Sequence, residues 1–180
     1  MQTEFVVSGF GGQGALFAGQ LLAHAAMDEG FHVTWIPSYG PEMRGGTAHC
    51  MVIISDDEIG SPVVRCPAAA IAMNMPSLDK YEPLVAPGGV LVVNSSLAAR
   101  RPRRADIRTC EVSANEVAEK LGDSKLANLV LIGALLAATG LLPPAAVERA
   151  LEAHLPEHRR ALLEANRQAL RQGVELARNQ

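Results

Sequence analysis

Aromatic residues are scarce in this chain: one Trp, two Tyr and four Phe account for 4% of its 180 residues. Proteins that stack nucleic-acid bases need such rings in number. Charge of one sign is lacking as well, since 16 Lys and Arg against 19 Asp and Glu leave a net charge of −3. No chain-wide positive field exists to hold a polyanion. The two absences together argue against nucleic acid as a partner.

Cysteine is limited to Cys50, Cys66 and Cys110, an odd number at wide spacing. That suits reduced thiols better than a disulfide framework. There is no C-x-x-C pair, and three thiols cannot supply the four ligands of an iron–sulfur cluster. His24, His32, His49, His154 and His158 form no ligand spacing with acids or cysteines, so no metal site is expected and no catalytic residue is assigned. A long apolar run is missing too. Leu126 to Leu142 carries no charge, but it is slightly short for a membrane span and contains Asn128, Gly133, Thr139 and Gly140, which reads as a buried core helix. Met1-Gln2-Thr3-Glu4 leads straight into an apolar stretch without a basic n-region, and a cytoplasmic protein with no membrane partner is the expectation.

What is present fits one globular domain over residues 1–180: 48% hydrophobic and 19% charged residues, with no Ser-, Gly- or Pro-rich linker and no internal repeat. Phe5-Val6-Val7 predicts a strand that ends in Ser8-Gly9-Phe10-Gly11-Gly12-Gln13-Gly14. Leu16, Phe17, Leu21 and Leu22 then recur at helical spacing, and Phe31 to Ile36 has the β-branched and aromatic character of a second strand. A βαβ unit is therefore expected to open the chain. Pro37 to Gly46 reads as a loop, and Thr47 to Ser55 as a strand in a hairpin with Val63-Val64. Strands are expected at Ala69 to Met73, Val90 to Val93 and Ile107 to Val112. Helices are expected around Ser77 to Leu84, at Ala114 to Leu121 behind a Ser113 cap, from Leu126 to about Thr139, from Pro144 to His154, and from Glu157 to about Arg178. The fold class that follows is α/β: a Rossmann-like, mostly parallel mixed sheet flanked by helices, with a helical C-terminal third.

Gly9, Gly11 and Gly14 match G-x-G-x-x-G between a strand and a helix, the context that gives this short motif meaning. Without side chains, backbone N–H groups can approach an anion, and the helix N-terminus adds about half a positive charge. Gly12 and Gln13 extend the loop. Dinucleotide proteins of this type usually carry an acid at the end of the second strand to hold a ribose. Here that strand ends Trp35-Ile36-Pro37-Ser38, so NAD is disfavoured. The second loop offers Ser38, Tyr39, Arg44, Gly45 and Gly46, and Arg44 is suited to bidentate contact with phosphate or carboxylate. It is expected near the first loop, as is Asn94-Ser95-Ser96 at the end of the fourth strand. Lys125 is a further candidate phosphate contact. Arg100-Arg101-Pro102-Arg103-Arg104 reads as a solvated loop or, alternatively, as a docking patch for an acidic partner.

The strings Gly-Phe-Gly-Gly-Gln-Gly at 9–14 and Pro-Ser-Tyr-Gly-Pro-Glu-Met-Arg-Gly-Gly at 37–46 resemble the gamma subunit of 2-oxoacid:ferredoxin oxidoreductases. The similarity continues through Ile59-Gly60-Ser61-Pro62, Ala72-Met73-Asn74, Asn94-Ser95-Ser96, Ala127-Asn128 and Gly133-Ala134, and thins in the last two helices. The resemblance implies a complex that turns a 2-oxoacid, coenzyme A and oxidised ferredoxin into acyl-coenzyme A, carbon dioxide and reduced ferredoxin. It implies alpha, beta and ferredoxin-like delta subunits as partners, with ferredoxin reached indirectly. Thiamine diphosphate, magnesium and iron–sulfur clusters would sit on those subunits. This chain would contribute to coenzyme A binding through Gly9, Gly11, Gly12, Gln13, Gly14, Ser38, Tyr39, Arg44, Gly45, Gly46, Asn94 and Ser95. The separate short chain leans toward 2-oxoglutarate as the oxoacid. Without its partners the chain is open to self-association. A stand-alone nucleotide-binding protein and a purely structural interaction subunit are the competing readings.

Overall fold

The computed structural model describes residues 1–39 and 47–180. Within them lie β1 (Gln2–Phe10), α1 (Ala15–Asp28), β2 (His32–Tyr39), β3 (Thr47–Ser55), β4 (Ala69–Ala72), α2 (Met75–Tyr81), β5 (Val90–Asn94) and β6 (Arg108–Val112). Four helices follow: α3 (Ala114–Lys120), α4 (Ala127–Thr139), α5 (Pro144–His154) and α6 (Leu163–Arg178). The strands form one sheet in the order β2-β3-β1-β4-β5-β6. β1, β4, β5 and β6 run parallel, and β3 is antiparallel to both β1 and β2. The expected mixed, mostly parallel sheet with a helical C-terminal region is what the chain forms.

Two local expectations give way. β1, α1 and β2 do make a crossover, and β2 runs in the direction of β1, but β3 is inserted between them. The hairpin partner of β3 is β2 rather than Val63-Val64. With β1 on one side and β2 on the other, β3 has no open edge left for a further strand. Residues 59–64 form no strand, and Val64 is instead buried against the sheet. β2 also extends through Pro37 to Tyr39, where the sequence suggests a loop. It is an edge strand, which can tolerate a residue with no N–H to donate.

Because side chains alternate across a strand, each inner strand contributes to two layers. Phe5, Val7, Val52, Ile71, Val92 and Val112 face α1 and α3–α6, whereas Val6, Ile53, Ala70, Leu91 and Val93 face Leu78 and Tyr81 of α2. Burial on both faces is why these strands read as continuous apolar runs. α4 is apolar all round because it lies between the sheet and α6. A Cβ on Gly133 would come 2.0 Å from the Leu170 carbonyl oxygen, and one on Gly173 would come 1.9 Å from that of Val130, so both helices need glycine at their crossing. No helix among the described residues is long and apolar enough to cross a membrane.

Helix starts differ in detail from the sequence reading. Ser113 precedes α3 but makes no side-chain cap bond, its ψ of 64° lying short of the extended range of a capping residue. The effective cap is Asn74, whose side chain accepts from the Ser77 N–H at 2.9 Å and starts α2. The last helix begins as a 3-10 turn over Glu157–Leu162 before α6 takes over at Leu163.

Candidate functional site

Gly14 begins α1 in the left-handed conformation at φ 80°, and Gly12 is also left-handed at φ 98°. Side-chain-bearing residues rarely adopt such angles. A Cβ on Gly14 would moreover lie 2.2 Å from the Asn128 amide nitrogen. Among the described residues no side chain caps α1, and its first turn holds no acidic residue. The leading N–H groups and the positive end of the helix are thus unopposed, the arrangement that suits an anion.

Gln13 locks the loop. Its side-chain oxygen accepts from the Phe10 N–H at 2.6 Å and from the Asn74 amide at 2.9 Å, and its own N–H donates to the Phe10 carbonyl at 3.1 Å. Asn74 in turn caps α2, so one oxygen ties the carboxyl end of β1 to that of β4. The helices that follow these strands pack on opposite faces of the sheet, α1 on one and α2 on the other. A crevice opens where the chain diverges this way, and ligands of α/β sheets collect at such places.

The crevice has two adjoining parts. One, of about 340 Å³, is bounded by Gly12, Gly14, Phe17, Lys125, Asn128 and Arg159. The other, of about 160 Å³, is bounded by Gln13, Met73, Asn94, Lys125, Asn128 and Leu131. Asn94 is 1% exposed and Asn128 7%. The side-chain oxygen of each has no hydrogen-bond partner among the described residues. A buried amide oxygen left this way costs about 1–3 kcal/mol, which a stable fold carries for a reason.

The sequence-predicted residues divide. Gly12, Gln13, Gly14 and Asn94 meet at the crevice, joined by Lys125. Gly9 is buried within β1 under Gln13 and Met73, where it makes room for them rather than touching the opening. Gly11 lies in the loop itself. Ser95 is exposed beyond the end of β5, with its N–H bound to the Val112 carbonyl. Ser38 and Tyr39 lie at the end of β2, to one side of the glycine loop. β2 stands two strands from β1 and four from β5, so at roughly 4.8 Å per strand they are about 10 Å and 19 Å away. Tyr39 is 63% exposed. Arg44, Gly45 and Gly46 lie outside the described residues. Asn128 is not among the predicted site residues, although a lone polar side chain at the head of an uncharged apolar run was the available signal.

Half of the arginine cluster is tied down, through Arg100 and Arg104, while Arg101 and Arg103 are exposed. Glu82, 4% exposed, accepts from Arg100 Nη1 at 2.7 Å, from the Arg104 N–H at 3.0 Å and from the Arg103 N–H. Arg100 also reaches Asp79 at 2.7 Å, and Arg104 reaches Asp106 at 2.9 Å. Burial pushes the Glu82 carboxyl upward, but the Arg103 N–H, the Arg100 guanidinium and the Arg104 N–H outweigh it and hold the group below its ordinary value. Cys50 on β3 and Cys110 on β6 are both buried, about 19 Å apart at four strand spacings, and Cys66 is exposed, so the three thiols do not converge. Burial raises the Cys50 thiol to about 11, which keeps it protonated and unreactive at neutral pH. Among the described residues no group of three or more His, Cys, Asp or Glu could hold a metal ion.

The family model of pyruvate ferredoxin/flavodoxin oxidoreductase matches residues 4–176. The chain belongs to that family. Within it, the chain is 44% identical over 131 residues to ketoisovalerate oxidoreductase subunit VorA of Methanothermobacter thermautotrophicus, covering 73% of this chain and 27% of VorA. It is 36% identical to 2-oxoglutarate synthase subunit KorC of the same organism, covering 87% and 86% of the two chains. The solved gamma subunit of a keto/oxoacid ferredoxin oxidoreductase from Geobacter sulfurreducens superposes with a TM-score of 0.85 at 35% identity, covering 99% of both chains. The chain thus spans about a quarter of the VorA relatives and nearly the whole of the KorC and gamma-subunit relatives. The resemblance carried by the two glycine-rich loops is borne out.

Proposed function

We propose that this chain serves as the gamma-type subunit of a 2-oxoacid:ferredoxin oxidoreductase complex and that its crevice contributes to binding coenzyme A. The observation that carries this reading is the uncapped N-terminus of α1 behind Gly12 and Gly14, facing an opening flanked by Lys125 and Arg159. A pyrophosphate is matched by backbone N–H groups and a helix dipole, and a further phosphate by arginine or lysine. Thiamine diphosphate, magnesium and the electron-carrying clusters belong to alpha, beta and delta partners in this reading. The chain's three separated thiols fit a cluster poorly.

Isothermal titration of the reconstituted complex tests the coenzyme A assignment. Gly11→Asp puts a negative charge in the loop, and Arg44→Ala removes the guanidinium of the second loop. Both are expected to weaken coenzyme A binding, and unchanged affinity in both overturns the reading. The proposed oxoacid is 2-oxoglutarate, because among relatives matched along most of their own length KorC of Archaeoglobus fulgidus is 37% identical, against 30% for the pyruvate synthase subunit PorC and 27% for the indolepyruvate subunit IorB. Ferredoxin reduction by the complex should be fastest with 2-oxoglutarate. A faster rate with ketoisovalerate or pyruvate would replace that substrate without disturbing the coenzyme A assignment.

A further inference from the structure

The two edges of the sheet are finished differently. At β6, five residues long, the Gln180 side chain closes on the strand: the Glu111 N–H donates to the Gln180 side-chain oxygen at 3.1 Å, and the Glu111 carbonyl accepts from Gln180 Nε2 at 2.7 Å. β6 also carries Arg108 and Glu111, charges of the kind that discourage a further strand. β2 is eight residues long, has no Lys, Arg, Asp or Glu, and among the described residues no strand lies on its outer side. The ladder fixes which of its backbone groups face outward. The Asp56 N–H donates to the Met1 carbonyl at 3.0 Å, so these two form a hydrogen-bonded pair, and by alternation the even-numbered residues of β3 bond to β1 and the odd-numbered ones to β2. With Ser55 opposite His32, the residues of β2 that bond to β3 are His32, Thr34, Ile36 and Ser38. Val33, Trp35, Pro37 and Tyr39 therefore turn their backbone groups to the open side. Pro37 lacks an N–H and takes nothing from the β2–β3 ladder.

We propose that this edge pairs with the same edge of a second copy of the chain, the two β2 strands running antiparallel about a two-fold axis at Ile36. In that register every pair is matched in kind. On the face that α1 covers, Val33 meets Tyr39 of the second copy and Trp35 meets Pro37. On the other face Thr34 meets Ser38, and Ile36 meets its own counterpart. The outward-facing residues make the hydrogen-bonded pairs: Val33 and Tyr39 exchange two bonds, and Trp35 donates one to the Pro37 carbonyl. An axis at Trp35 would instead set Tyr39 opposite Phe31, outside the strand. Ile36 is 39% exposed and Tyr39 63%, and the pairing covers both. α2 packs chiefly over β1 and β4, which leaves the Ile36 face of β2 clear of it. A strand from another subunit needs no such symmetry, and the match in kind about one axis is what favours a second copy.

The test is disulfide trapping and sedimentation of the full chain, alone and in the reconstituted complex, in a Cys66→Ser background that removes the exposed native thiol. Facing residues of a non-hydrogen-bonded antiparallel pair have Cα atoms about 4.5 Å apart, within the span of a disulfide. Ile36→Cys should therefore oxidise to a covalent dimer of two such chains. Ser38→Cys is as accessible but lies about 14 Å along the strand from its counterpart, and it should not link. Ile36→Lys sets like charges against each other on the axis and should weaken dimerisation roughly tenfold. Ile36 is exposed, so that variant should fold normally, which thermal unfolding checks. Linking at Ile36→Cys and not at Ser38→Cys, in the free chain or in the complex, supports the pairing. The proposal is overturned if Ile36→Cys gives no such dimer in either setting, if Ser38→Cys links as readily, or if Ile36→Cys links to a different subunit instead. A wild-type dimer that Ile36→Lys leaves unchanged overturns it too. None of these outcomes depends on coenzyme A binding.

Discussion

Two polar constellations stand out in this molecule, and they treat their hydrogen-bonding groups in opposite ways. Around Glu82 the two carboxylate oxygens are claimed by Arg100 and by the N–H groups of Arg103 and Arg104, with Asp79 and Asp106 completing the arginines. At the crevice the N-terminus of α1 has no side-chain cap, and the oxygens of Asn94 and Asn128 no partner, among the described residues. A satisfied network holds a loop in place, whereas an unsatisfied one at an opening is suited to a ligand. Charge density alone points to the wrong region, since four arginines in five residues mark the structural cluster and the crevice carries little charge.

The sharpest way to break this comparison is to damage each constellation and read both stability and binding. Glu82→Ala strands a partly buried guanidinium and two backbone donors. It should cost about 2–3 kcal/mol, or a Tm roughly 4–12 °C lower, with coenzyme A affinity in the complex unchanged. The pH dependence sharpens the same point. Because the folded Glu82 carboxyl lies below its ordinary value of 4.5, its contribution is present above that pH and is lost as pH falls through the folded value. The stability gap between wild type and Glu82→Gln should therefore be fully present at pH 7 and close progressively below about 4.5, as followed by urea unfolding at a series of pH values.

Gly14→Ala probes the other side. A left-handed backbone costs a side-chain-bearing residue about 1–2 kcal/mol, and the new methyl group would displace Asn128. A Tm lower by roughly 2–8 °C is expected, together with at least a tenfold loss of coenzyme A affinity. A variant that loses stability but binds normally would move the glycine loop into the structural class with Glu82. Arg101→Ser should have the smallest effect. Arg101 is exposed and only 3.8 Å from Glu111, so a change within about 0.5 kcal/mol is expected. Slower ferredoxin-coupled turnover in that variant, dependent on ionic strength, would revive the docking patch for this one residue.

Much of the element order is legible in the chain because periodicity and punctuation are local. The α5 helix begins at Pro144 and ends at His154 as its proline and its pattern predict, and α4 occupies the uncharged run that was too polar and too short for a membrane. The partner of β3 is not local information. Val63-Val64 and β2 are both apolar candidates, and only the occupancy of the two edges of β3 decides between them. The site shows the same division. Gly12, Gln13 and Gly14 announce themselves by motif, while Asn128 reaches the crevice because α4 packs its first turn against Gly14 from 114 residues farther along the chain.

By itself the sequence determines that a glycine-rich turn joins a strand to a helix, and that the chain belongs with the gamma subunits whose motifs it shares. These properties depend on neighbouring residues, and a strand-to-helix turn with three close glycines has few conformations to choose from. Tertiary structure alone decided that β3 separates Ser38 and Tyr39 from β1, that Glu82 takes hold of Arg100 and Arg104, and that the oxygens of Asn94 and Asn128 are buried with no partner among the described residues. Each of those outcomes depends on which distant segments the sheet order and the packing of α4 bring together, and hydrogen-bond satisfaction is a property of that assembled neighbourhood rather than of any stretch of chain.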